Sequence, residues 1–154
     1  MTIPALPADI ASGNLASLLA FLSGRRTRGL LDARLDTERQ DTLLTWAARH
    51  GQAEAVRLLL EAGASVGATT GGGGGSSGGA SALLIACSEG HPEVARLLLE
   101  ASAAVNQARD DGVTPLFMAC RMGHLDVARL LLEAGASVSQ ARNDGVTPLL
   151  AACH

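Results

Sequence analysis

The strongest constraint on the fold of this chain is an internal repeat of 33 residues. The segment Asp-Gly-Val-Thr-Pro-Leu begins at Asp111 and again at Asp144, and Ala-Arg-Leu-Leu-Leu-Glu-Ala begins at Ala95 and again at Ala128. A third, nearly identical copy of the second segment begins at Val56, 39 residues before Ala95. A fixed period of this length is typical of architectures in which similar units stack in a row, so the sequence predicts a solenoid.

The six extra residues lie in one glycine-rich segment. Val66 matches Val105 and Ser81 matches Thr114, which places the excess between Val66 and Gly79, where residues 71–79 are all Gly or Ser. We interpret 71–79 as a flexible loop insertion. Residues 73–78 also match G-x-G-x-x-G, but a dinucleotide site needs a strand before this motif and a helix after it. Here a helix precedes the segment, so the nucleotide-site interpretation is set aside.

The residues of one unit predict a pair of helices. Thr114 suits the N-cap of a first helix over residues 115–122, because Pro115 then takes the first helical position and Gly123 ends the helix. A second helix is expected from about Leu125 to a left-handed stop at Gly135. In the middle repeat Ser102 replaces that glycine, and the alignment predicts a strained serine at positive φ.

These blocks together resemble the ankyrin-repeat family, and the resemblance covers about residues 37–154. They are Thr114-Pro115-Leu116, Gly123-His124, Leu130-Leu131-Leu132 and Gly135-Ala136-Ser137-Val138. The resemblance implies an all-α repeat solenoid of helix-turn-helix units with protruding β-hairpin-like loops. It also implies a structural hydrogen-bonding role for His91 and His124, and protein binding as the general function.

The alignment divides the chain into five segments. They are a degenerate N-terminal capping half-repeat with its loop (1–36), a repeat containing the 71–79 insertion (37–77), two further repeats (78–110 and 111–143) and an incomplete repeat (144–154). Trp46 aligns with inward-facing residues of the later repeats and is expected to pack against the N-terminal cap.

The residues that could carry chemistry recur as rows of like groups. Cys87, Cys120 and Cys153 are 33 residues apart, and the matching residue of the first full repeat is Ala48, which indicates core packing. Catalysis needs unlike groups that converge in one pocket. We therefore predict no catalytic residue, no metal site, no cofactor and no enzyme activity.

Charge and hydropathy limit the choice of partner. The net charge is −3 and the 12 basic residues, all arginine, are spread along the chain except for Arg25, Arg26 and Arg28, a cluster interpreted as a solvated loop. A nucleic-acid binder needs a basic stripe, so no nucleic-acid partner is predicted. Short apolar runs predict no membrane insertion. An odd cysteine count and the lack of a secretory signal favour an intracellular, cytoplasmic location, with the nucleus as the alternative.

Residues that differ between matching repeats are the candidates for an unknown protein partner. Thr45, Leu84 and Phe117 share one column, which we expect on the exposed side of the first helix. Arg121 and Met122 join Phe117 as the best predicted contact cluster, because aromatic, arginine and methionine side chains are enriched at interfaces. The remaining predicted binding residues, from neighbouring columns and loop tips, are Asp41, Arg49, Ser88, Glu89, Asp110, Asp111, Val113, Asn143 and Asp144.

Three accounts of function remain open at this stage. The first is a protein-interaction module that binds through its loop tips and its concave first-helix face. The second is the targeting arm of a larger truncated enzyme or ubiquitin-ligase-type protein, suggested by the incomplete last repeat. The third is a structural or self-assembling repeat, in which the apolar residues Leu149, Leu150 and Ala152 pair with another copy.

Overall fold

The structure, a computed structural model, describes residues 6–23, 30–35, 40–71 and 78–152 and shows an all-α repeat solenoid. In these ranges the helices are α1 (Leu6–Ala11), α2 (Leu15–Leu22), α3 (Leu43–Arg49), α4 (Ala53–Glu61), α5 (Ala82–Glu89), α6 (Pro92–Glu100), α7 (Pro115–Arg121), α8 (Leu125–Glu133) and α9 (Pro148–Ala152). The first helices α3, α5, α7 and α9 pack side by side, and the second helices α4, α6 and α8 form a parallel row.

The first helices α3, α5 and α7 begin at hydroxyl N-caps, and the cap predicted at Thr114 is confirmed. The side chains of Thr42, Ser81 and Thr114 accept hydrogen bonds from the backbone N–H three residues later. Pro115 takes the first position of α7, where its missing N–H costs no hydrogen bond. The caps fix where the first helices start and therefore keep the repeats in register.

The second helices end in left-handed residues at the three equivalent positions. Gly63, Ser102 and Gly135 have φ values of 93°, 65° and 85°. The prediction that Ser102 adopts positive φ is confirmed. A serine in this conformation is strained, since its Cβ crowds the backbone.

Adjacent repeats are joined by a hydrogen bond from the residue that precedes each second helix. His91 Nε2 donates to the carbonyl oxygen of Arg49 at 3.1 Å, and His124 Nε2 donates to that of Ser88 at the same distance. Gln52 takes the histidine position in the first full repeat and donates from Nε2 to the carbonyl oxygen of Ala11 at 3.2 Å. Each bond satisfies a carbonyl at the end of the previous first helix, which has no partner within its own helix. The structural role implied for His91 and His124 is confirmed.

A second hydrogen bond joins neighbouring loops at two junctions. The third junction lacks the side chain that would accept this bond. Asp32 Oδ1 accepts from Ser65 N at 2.8 Å, and Asn106 Oδ1 accepts from Ser137 N at 2.8 Å. At the junction between them, Gly67 takes the acceptor position and Ala104 the donor position, and Gly67 has no side chain to accept from Ala104 N.

The loops between repeats close as short hairpins. Arg109 N donates to the carbonyl oxygen of Val113, and Arg142 N to that of Val146, each at 2.9 Å across three intervening residues. In the inserted loop the equivalent bond runs from Thr70 N to the carbonyl oxygen of Ala80 and encloses residues 71–79. The insertion is therefore confined to the hairpin tip, although residues 72–77 themselves lie outside the described ranges. The arginine cluster at 25–28 also lies outside them.

The N-terminal segment contains one helix more than the repeat pattern predicts. The predicted half-repeat corresponds to α2, whereas α1 adds a first helix that packs on α3. Trp46 is half-buried against this pair, and its Nε1 donates to the carbonyl oxygen of Pro7 at 2.6 Å. Trp46 therefore contacts the N-terminal cap, as predicted.

Candidate functional site

The first-helix column that we expected to be exposed is buried, so that prediction is wrong. Thr45, Leu84 and Phe117 are 0%, 3% and 2% exposed. Leu84 and Phe117 pack with Val113 and Ala151 in one apolar cluster that spans three successive repeats. Because a first helix in the middle of the row is covered on both sides, this column belongs to the core.

The expectation that Asp41 and Val113 are accessible to a partner is wrong for the same reason. Each is 1% exposed. Asp41 Oδ1 lies 3.0 Å from Arg49 Nη2 and accepts a hydrogen bond from Thr45 Oγ1 at 3.2 Å. Burial of this carboxylate is therefore compensated by a cation and a hydroxyl donor, and the pair fixes the start of α3 against its end. Neither Asp41 nor Val113 presents a surface to a partner.

Those predicted residues on the first helices that reach the surface lie where these helices end. Arg49, Ser88 and Glu89, and Arg121 and Met122, occupy matching positions at the ends of the adjacent helices α3, α5 and α7. We call this set the first-helix rim. Arg121 is exposed, Met122 is 52% exposed and Ser88 is half-buried. Arg49 Nη1 lies 3.7 Å from Glu89 Oε1, so α3 and α5 are bridged along the rim by an ion pair.

The loop-tip carboxylates are used to build the hairpins. Asp111 Oδ1 accepts from Val113 N at 3.2 Å and from Arg109 Nε at 2.9 Å. Asp144 repeats the pattern with Val146 N at 3.2 Å and Arg142 Nε at 2.9 Å. The arginine hydrogen bonds hold the pKa of Asp111 and of Asp144 below the ordinary value for an aspartate.

Asp110 and Asn143 occupy exposed positions on the tips and link one hairpin to the next. Asn143 Nδ2 donates to the carbonyl oxygen of Asp110 at 3.1 Å, and Asn143 N donates to that of Asp111 at 3.1 Å. The Asp110 side chain is not used in this link. The tips are therefore held in a fixed spacing by hydrogen bonds.

Arg109 and Arg142 were missed as contributors to this region. Besides pairing with Asp144, the Arg142 guanidinium lies 5.7 Å from the centre of the Phe117 ring, within range of a cation–π contact. The available signal was their 33-residue spacing, each two residues before the start of an Asp-Gly-Val-Thr block. This spacing identifies a repeated position, but it does not reveal the hairpin geometry that brings each arginine against an aspartate.

The cysteine row behaves as core packing where the structure describes it. Cys87 is fully buried, and burial raises the pKa of its thiol to about 12. Cys120 is half-buried, and burial raises its pKa too. These thiols are poor nucleophiles because the thiolate is the reactive form. Cys153 lies outside the described ranges.

Two further features are absent from the described part of the chain. No cluster of three or more histidine, cysteine, aspartate or glutamate side chains there could hold a metal ion. Among the same residues, no helix is both long enough and apolar enough to cross a membrane.

The comparisons with known proteins agree with the repeat geometry. A family model described as ankyrin repeats (3 copies) matches residues 73–142 and 103–154, and another described as ankyrin repeats (many copies) matches residues 44–99. No curated protein matches the chain. Ankyrin repeats are in general protein–protein interaction modules and are typically non-catalytic. The matched regions, the paired helices, the hydroxyl caps and the junction histidines together show that the chain belongs to the ankyrin-repeat family.

Proposed function

We propose that the chain binds a protein partner through the first-helix rim together with the hairpin tips. The observation that carries the proposal is that the repeats differ at positions that reach the surface where the first helices end. Glu89, Arg121 and Met122 are exposed there, and Arg49 and Ser88 are half-buried. The buried column of Thr45, Leu84 and Phe117 also differs between repeats, so variation alone does not mark the surface.

The rim offers both apolar and charged contacts. The long, flexible thioether of Met122 suits an adaptable apolar contact. Arg121 beside it supplies a guanidinium that matches a carboxylate in a two-pronged hydrogen bond. Glu89 adds a negative group on α5, partly neutralised by Arg49. A partner that places an acidic side chain next to an apolar one would complement the α7 part of the rim.

We also propose that the chain has no catalysis of its own and works inside cells. The rows of like residues support the first statement, since stacking keeps equivalent groups one repeat apart rather than in one pocket. Free Cys87 and Cys120, with no disulfide between them, support the second.

Site-specific photo-crosslinking tests the binding surface. p-Benzoylphenylalanine replaces Met122 in one variant and Glu100, an exposed residue at the end of α6, in the matched control. Irradiation in lysate of the source organism should give discrete adducts from position 122 and not from position 100. Arg121→Ala in the Met122 variant should weaken those adducts while leaving the helical circular dichroism signal unchanged. Equal labelling at the two positions, or adducts that ignore Arg121→Ala, would refute the assignment.

A further inference from the structure

The loops at two neighbouring junctions of the stack are joined to different extents. We call the contact between the repeats at 37–77 and 78–110 the middle junction, and the contact between those at 78–110 and 111–143 the later junction. Among the described residues, three hydrogen bonds join the loops at the later junction, and one joins them at the middle junction. The three bonds are Ser137 N to Asn106 Oδ1 at 2.8 Å, Asn143 N to the Asp111 carbonyl at 3.1 Å and Asn143 Nδ2 to the Asp110 carbonyl at 3.1 Å.

Two residue differences explain why the middle junction has a single bond, from Asp110 N to the carbonyl oxygen of Gly78 at 3.4 Å. Gly67 stands where the later junction has Asn106, so no side chain accepts from the facing backbone N–H. Asp110 stands where the later junction has Asn143, and a carboxylate has no hydrogen to donate to a neighbouring carbonyl. The loops of the middle junction therefore lack both side-chain bonds of the later one.

The rim ends of the first helices show the opposite difference. At the middle junction His91 Nε2 donates to the carbonyl oxygen of Arg49 at 3.1 Å, and Arg49 Nη1 lies 3.7 Å from Glu89 Oε1. At the later junction the described residues supply only the matching histidine bond, from His124 to the Ser88 carbonyl. Each first helix runs from a hairpin to the rim, so the loops and the rim lie at its opposite ends. The middle junction is thus well bonded at the rim and weakly bonded at the loops.

We propose that the middle junction is a hinge. Its loops separate and close as a unit, while the rim ends of α3 and α5 stay joined. Opening moves the hairpin closed by Thr70 and Ala80 away from the one closed by Arg109 and Val113, which changes the curvature of the stack. Because each net hydrogen bond shifts an equilibrium by about fivefold, two fewer bonds make the open form about 25-fold more populated than at the later junction. The hinge is a property of the stack itself, so it does not depend on the proposed function.

Amide hydrogen exchange in the full chain, followed by NMR, measures opening at each junction. The Asp110 amide reports the middle junction and the Asn143 amide the later one, so the protection of the Asn143 amide should be about 25-fold greater. Gly67→Asn supplies the missing acceptor and should raise the protection of the Asp110 amide about fivefold without changing that of Asn143. Gly67→Ala, the matched control, should leave both unchanged, because residue 67 stays folded in the open form.

Asn106→Gly is the reciprocal variant and should lower the protection of the Asn143 amide about fivefold while leaving that of Asp110 unchanged. Equal protection of the two amides in the wild type would overturn the proposal, because the two junctions would then open equally. So would an Asp110 amide that does not respond to Gly67→Asn, since its bond would then break alone. A rise at both amides in Gly67→Asn would mean that they exchange through global unfolding, which also contradicts a local hinge.

Discussion

Replacing Gly90 by alanine should destabilise the chain through two separable effects. The first is conformational: at φ of 77° an alanine pays the left-handed penalty, about 1–2 kcal/mol. The second is steric: the new Cβ would lie 2.6 Å from Cε1 of His124, so the ring must move and its hydrogen bond to the Ser88 carbonyl is lost. Losing that bond and part of the ring's packing adds about 1–3 kcal/mol. We expect a total loss of about 2–5 kcal/mol in the free energy of unfolding.

Gly123→Ala is the natural control, because φ is nearly the same and the space beside Gly123 is open. It should cost only the conformational part, about 1–2 kcal/mol. Urea unfolding followed by circular dichroism gives both values. Because Gly90 and Gly123 lie in different repeats, a double-mutant cycle on the contact between Gly90 and His124 completes the comparison. In a His124→Ala background, Gly90→Ala should also lower the free energy of unfolding by only about 1–2 kcal/mol. A cost of Gly90→Ala that is the same with and without the imidazole, to within about 0.5 kcal/mol, would refute the steric argument.

Three further predictions follow from single positions. Ser102→Gly should raise the free energy of unfolding by about 1 kcal/mol, because relief of backbone strain exceeds the added entropy of the unfolded chain; a urea midpoint equal to that of the wild type would contradict it. Gly67→Asn should supply the missing acceptor for Ala104 N and gain about 0.5–1.5 kcal/mol, whereas Gly67→Ala should gain only the entropic part; equal gains would exclude the hydrogen bond. Asp111, whose pKa is lowered by Arg109 in the folded state, stabilises the fold above the unfolded pKa of about 4, and this contribution is lost as the pH falls through its folded pKa. Asp111→Asn should therefore flatten the acid limb of the stability–pH curve, and an unchanged acid limb would show that this carboxylate is not linked to folding.

The period, the caps and the helix stops could be predicted from the sequence because each depends on local geometry. Thr114 and Pro115 define a helix start, and Ser102 is identified by its place in a row of glycines. Exposure of the first helix could not be predicted in the same way. In α5 the six consecutive residues Ala82, Leu83, Leu84, Ile85, Ala86 and Cys87 are all buried, because its own second helix and both neighbouring first helices cover it. A helix covered on three sides has no alternating pattern to separate Phe117 from surface residues.

The candidate surface could be predicted only where it depends on local geometry. Arg121 and Met122 were placed correctly at the surface because they directly precede the turn glycine, where the helix leaves its neighbours. The structural use of Asp111 and Asp144 depends on side chains folding back on a hairpin only a few residues long. That geometry requires knowledge of the loop conformation, which a matching column of aspartates does not provide. The helix α1 was missed because Pro7 and Asp9 interrupt its short apolar run.

The hairpin that carries the glycine insertion has a consequence for how such a chain can be altered. Its closing bond between Thr70 and Ala80 is kept although the tip holds nine residues rather than three. Tripling the length of a loop costs only about 1 kcal/mol in closure entropy. The stack therefore tolerates foreign sequence at this tip, and an epitope or short peptide ligand grafted between Thr70 and Ala80 would be displayed without disturbing the helices beneath it.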